Sequence, residues 1–176
     1  MSFLDKLFKK EPEPYTVDTE FGKFIMEYYD KEKTKPCYAY TGFGEWTDES
    51  GTYGIDDVEI YCDNEETFEM KNGLAMLKKV MSEQAFWLER ARQGAADNWL
   101  TEDGTVLTWV IDENNKEVEL PPDEFKKLLH VVSIHIYSDD GICLVLDGDY
   151  KGESLYTDHC IAVSLNGKGE VEECSL

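Results

Sequence analysis

The chain has 176 residues, 41% hydrophobic and 12% aromatic, which is enough to close one core of ordinary size and too apolar for a disordered protein. Its Lys and Arg number 17 against 38 Asp and Glu, and the resulting charge of −21 repels phosphate backbones, which argues against direct nucleic-acid binding. The five cysteines (Cys37, Cys62, Cys143, Cys160 and Cys174) lack the spacing of a zinc knuckle or redox dithiol, and no apolar run reaches membrane-spanning length; a single domain in the reducing cytoplasm is expected.

Residues 1–10 read as a short amphipathic helix, with Phe3, Leu4, Leu7 and Phe8 on one side and Lys6, Lys9 and Lys10 on the other. Three fates are open to it: docking on the domain or a second copy, fraying, or weak membrane contact through residues 3–10, which the acidic body opposes. Glu11-Pro12-Glu13-Pro14 then forms a spacer, so residues 1–14 stand apart from a single α+β domain over 15–176.

From Tyr15 to Cys62 the pattern is β. An extended lead around Thr16–Thr19 and an aromatic run from Lys23 to Tyr29 precede Cys37–Trp46 and Tyr53–Cys62, punctuated by Gly42, Gly44 and Gly51. Val58, Ile60 and Cys62 share one face of the last strand, while Asp57, Glu59 and Tyr61 share the other, as in an antiparallel meander with one solvated side. The middle is helical: Leu74, Leu77, Met81, Leu88, Ala95 and Trp99 form one stripe, with Asn72 as a cap and Gly94 as a possible break. Phe86 points off that stripe. An acidic loop over Asp112–Glu117 follows, and Pro121-Pro122-Asp123-Glu124 opens a short helix.

The tail is a second run of antiparallel strands. His130–Tyr137 alternates, placing Val132, Ile134 and Ile136 against Val131, Ser133, His135 and Tyr137. Asp139-Asp140-Gly141 turns the chain into Ile142–Asp147, and His159–Leu165 and Gly169–Leu176 follow. Strands, helices, then strands make the expected class α+β.

Motifs that name a reaction or a cofactor are missing: there is no nucleophile elbow, no His-Glu-x-x-His, no phosphate-cradling glycine loop and no dinucleotide fingerprint. Two groups of residues remain as candidate sites. Asp147 and Asp149 partly match the first and third positions of a calcium loop, with Gly152 sixth and Asp158 twelfth, although Lys151 takes the fifth. With His159 they offer oxygen and imidazole ligands for a divalent ion, and so a metal-binding protein or metal-assisted hydrolase. The second group is the aromatic concentration Tyr38, Tyr40, Phe43, Trp46 and Tyr53, which reads either as core or as a binding face. The leading expectation is a non-catalytic acidic module for a basic protein partner, of inhibitor or immunity type, because an acidic surface steers fast association with a basic one.

Several strings occur in the order of a known bacterial family. Thr19-Glu20-Phe21-Gly22-Lys23-Phe24 opens the meander, Ala95-Ala96-Asp97-Asn98-Trp99-Leu100 ends the helical stretch, and Ser133-Ile134-His135-Ile136 begins the tail. Asp147-Gly148-Asp149 and Leu155-Tyr156-Thr157-Asp158-His159-Cys160-Ile161-Ala162-Val163 complete the set. Over residues 16–176 the chain resembles domain of unknown function 2262. The resemblance implies a small bacterial cytosolic protein with no established activity, and any functional site of the family would fall on Asp147, Asp149 and His159.

Overall fold

The computed structural model describes residues 14–26 and 36–176. The expected N-terminal helix, most of its spacer and the end of the Lys23–Tyr29 run lie outside the described residues.

Four strands open the fold: β1 (Tyr15–Thr19), β2 (Gly22–Met26), β3 (Ala39–Asp48) and β4 (Gly51–Tyr61). Helices α1 (Lys71–Ser82) and α2 (Gln84–Asn98), the hairpin β5 (Val106–Ile111)–β6 (Glu117–Leu120) and helix α3 (Pro122–Leu128) follow. The chain closes with β7 (Leu129–Ile136), β8 (Ile142–Tyr150), β9 (Glu153–Ser154), β10 (Ile161–Leu165) and β11 (Val171–Ser175). Among the described residues, no helix is long and apolar enough to cross a membrane.

The two expected runs of strands are one sheet. Its order is β1-β2-β3-β4-β7-β8-β10-β11, with β9 attached to β8. Neighbours pair antiparallel except at the centre, where β4 and β7 run parallel with Asp57 beside Ser133 and Glu59 beside His135. A parallel pair needs a long crossover, and the helical segment between Tyr61 and Leu129 supplies it. The meander therefore holds for β1–β4 only. β5 and β6 form their own small sheet, with the acidic stretch over Asp112–Glu117 as their turn.

All three described helices pack on one face of the large sheet. That face carries Ile55, Val58 and Ile60 of β4, Ile134 and Ile136 of β7, Leu144 and Leu146 of β8, and Val163 of β10, each no more than 1% exposed. Gly73 lets α1 come close: a Cβ there would stand 2.3 Å from Ile60 Cγ2. Leu77, Leu88 and Ala95 of the expected stripe are buried, but the helical stretch breaks at Glu83 rather than Gly94. Gly94 stays inside α2 because its missing side chain makes room for Val171, whose Cγ2 a Cβ would meet at 2.8 Å. Asn72 is not the cap of α1. Its own N–H is accepted by the Asp63 carboxylate at 2.8 Å, which satisfies one open donor of the first turn.

In β7 the simple alternation fails at one place. The pairing with β8 slips between Val131 and Ser133, so an extra residue bulges. Val131 thus joins Ile134 and Ile136 in the core, while Val132 is only half-buried.

Candidate functional site

The candidate residues of β3 divide between the two faces. Tyr40 is 3% exposed and donates its hydroxyl to the Phe68 carbonyl at 3.1 Å, and Trp46 is wholly buried. Phe43 is 69% exposed. Tyr38 enters the strand at a φ of 57°, half-buried, with its ring stacked on Phe68. Plain alternation turns Phe43 outward with the exposed Thr41 and Glu45, away from the side of Tyr40 and Trp46.

Asp147, Asp149 and His159 lie around the far end of β8. Asp147 is half-buried and accepts the Gly148 N–H at 2.7 Å; Asp149 is exposed opposite Ser154. The spacing that resembles a calcium loop belongs to a two-residue hairpin. Lys151 and Gly152 both take positive φ, 54° and 86°, between the paired Tyr150 and Glu153, which is the type I′ geometry that matches strand twist. His159 precedes β10, is exposed, and packs its ring edge-on against Trp109. Among the described residues, no group of three or more His, Cys, Asp or Glu side chains is placed to hold a metal ion.

The face of the sheet opposite the helices has a chemistry that the sequence reading did not assemble. Register places Thr41, Glu59, His135, Cys143, Ser164 and Glu173 in one row across six strands. One step along the strands, Asp57 stands beside Ser133. Ser133 Oγ lies 2.8 Å from His135 Nε2, 3.0 Å from the Asp57 carbonyl and 3.1 Å from Asp57 Oδ2. The hydroxyl has one proton for these acceptors: turned to Asp57 it accepts from His135 Nε2–H, and with the other His135 tautomer it donates to Nε2. Ser133 is also 7% exposed, too covered to attack a substrate. The trio fixes the Asp57 carboxylate on the open face.

Farther along that face the sheet ends in a cleft of about 540 Å³. Tyr38, Tyr61 and Tyr137 line it, with the rings of Tyr61 and Tyr137 5.1 Å apart and tilted by 31°. Glu65, Asp139, Glu172 and Glu173 are among its described lining residues, which include no Lys, Arg or His. The Tyr61 hydroxyl donates to Glu59 Oε2 at 3.2 Å, joining the cleft to the row above. Burial pushes the Tyr137 phenol up, and the Cys143 thiol, Glu59 and Asp139 push it the same way. The Cys62 thiol is likewise raised by burial first, then by Asp63 and Glu65.

The two-residue period of Asp57, Glu59 and Tyr61, and that of Ser133, His135 and Tyr137, is visible in the sequence. The missing signal is the parallel pairing that sets these strands side by side.

Comparison with curated proteins and with solved structures finds no match. A family model does match, over residues 37–176, and its description is "uncharacterized protein conserved in bacteria". That span covers most of the chain and includes every strand of the open face from β3 onward; the chain belongs to this family, DUF2262.

Proposed function

We propose that this chain is a non-catalytic binding module that receives a basic protein on the open face of its sheet. The observation that carries the reading is the Tyr61–Tyr137 cleft, whose described lining holds four acidic residues and no basic one, continuous with Glu59 and Asp57 on a face against which no described helix packs. A net charge of −21 supplies the long-range attraction. Such a field speeds the encounter with a positive surface and weakens as salt shortens its reach. The burial of Ser133, 7% exposed, supports binding over catalysis, because its hydroxyl is too covered to reach a substrate.

An inhibitor of a basic enzyme, such as one that handles nucleic acid, is a partner of the right character, since its substrate site is itself positive. The test uses two triple variants of equal charge. One neutralises the open face (Asp57→Asn, Glu59→Gln, Glu173→Gln); the other neutralises exposed acids on the helical side (Glu83→Gln, Asp97→Asn, Glu124→Gln). Basic proteins retained from a bacterial lysate at low salt are expected to be lost by the first variant and kept by the second. Equal retention by both would reduce the attraction to net charge and end the proposal.

A further inference from the structure

Resting on the binding-module reading, we propose that the outer edge of β11 takes up an extended segment of the basic partner as an added strand of the large sheet. β11 ends the strand order, and among the described residues no strand pairs with its outer side. Most of its length is exposed. Alternate residues of an edge strand aim their N–H and C=O groups away from the sheet, where they template a further strand. Residues 27–35 join β2 to β3, at least five strand spacings or about 24 Å from that edge, and out and back they reach only about 16 Å. Residues 1–13 lead into β1, about 34 Å away at the other end of the sheet.

The edge is also one wall of a groove. A channel of about 720 Å³ lies between Gly94 and Asn98 of α2 and Val171, Glu173 and Cys174 of β11. A peptide laid between a strand edge and a helix is held by main-chain hydrogen bonds, and its alternate side chains set selectivity. Register fixes the two sides. Glu173 pairs with Ser164 in the open-face row, whereas Cys174 pairs with the buried Val163 and faces the helices. An added strand therefore sets one side chain beside Glu173, continuing the open face, and the next into the groove beside Val171, which is 42% exposed. Basic residues suit the first set and small apolar residues the second. Charge selects the occupant: Glu170, Glu172 and Glu173 line the strand side, while Asp97 is held by Gln93 Nε2 at 2.8 Å and Arg90 lies over the Phe86 ring at 5.5 Å. A second copy of this chain would bring its own glutamates against these, and like charges across a strand pair repel.

The experiment titrates the isotope-labelled full chain with a short peptide of alternating Lys and Val, and with two forms N-methylated on every Lys or on every Val. A sheet edge pairs with the N–H groups on one side of a strand, so one methylated form should bind within about twofold of the parent and the other about tenfold or more weaker, through its lost ladder bonds. Hydrogen exchange of alternate β11 amides should slow as the parent binds. Glu173→Lys should weaken the parent by about fivefold, and Glu113→Lys, the same charge change in the β5–β6 turn, should leave it within about twofold. Methylated forms that bind alike, or β11 amides untouched by the parent, overturn the inference while the binding-module reading survives. Absence of binding by any of the peptides at low salt sinks both. Outward β11 amides already slow in the free chain would give the edge to its own residues 1–13 or, if the slowing grows with protein concentration, to a second copy; either overturns the inference.

Discussion

Truncation of Arg92 to alanine tests what ties the sheet to its helical layer. The guanidinium is buried on α2, and its Nε and Nη2 both donate to the Leu129 carbonyl, at 3.0 and 2.6 Å, where α3 passes into β7. Nη1 reaches Glu49 in the β3–β4 turn at 2.6 Å. The partners are unequal: the Arg92 side chain is 9% exposed and that of Glu49 is 56% exposed. Arg92→Ala removes charged donors from a buried carbonyl and packing from the core, a loss of about 3 kcal/mol. Glu49→Ala removes only a solvent-screened partner and leaves the carbonyl bonds intact, so it should cost about 1 kcal/mol or less. Urea unfolding of the two single variants and the double variant measures both terms and their coupling. A Glu49→Ala cost equal to or above that of Arg92→Ala would falsify the view that the Leu129 carbonyl is the main anchor.

Other outcomes follow from the same packing and charge. Gly73→Ala sets a Cβ against Ile60 Cγ2, and overpacking of about 1–3 kcal/mol should outweigh the gain in helix propensity, lowering Tm; a raised Tm would show that α1 is free to shift. Asp48 is raised by burial but held below the usual carboxylate range by the Ser50 hydroxyl and N–H, the Tyr53 hydroxyl and the Arg92 charge. Its folded value lies below the unfolded one, so its contribution is complete above about pH 4 and is lost as pH falls through the folded value. Asp48→Asn should therefore flatten the acid limb of the stability profile, and an unchanged slope there would count against that network. Titration with calcium, magnesium, manganese or zinc should leave Tm unmoved; stabilisation abolished by Asp147→Asn or His159→Ala would revive a metal site at the end of β8.

The sequence was informative wherever a local period decides the outcome. Val58, Ile60 and Cys62 against Asp57, Glu59 and Tyr61 sort by side-chain direction alone, and the structure keeps that sorting. It was silent about β4 lying beside β7, because the two strands meet across a long crossover and no local pattern reports a partner that far away. That pairing is what builds the Asp57–Ser133–His135 trio and brings Tyr61 to Tyr137. Val106–Ile111 was missed for a related reason: its strand is completed by Glu117–Leu120 and by the Leu155 carbonyl that accepts the Trp109 N–H, neither of which a propensity argument sees. Asp147 and Asp149 misled in the opposite direction, since acids flanking a tight hairpin and acids opening a calcium loop share the same spacing. Gly94 looked like a helix break until Val171 was placed over it.

The decisive measurement is a residue-by-residue footprint by NMR, with a basic, arginine-rich peptide added to the isotope-labelled full chain at low salt. Signals of Glu59, His135, Tyr137 and Ser164 should shift together and return as salt is raised, while the β5–β6 hairpin stays still. Shifts centred instead on the exposed Leu100, Trp109 and Ile111 would move the interface to the hairpin and contradict a role for the acidic face.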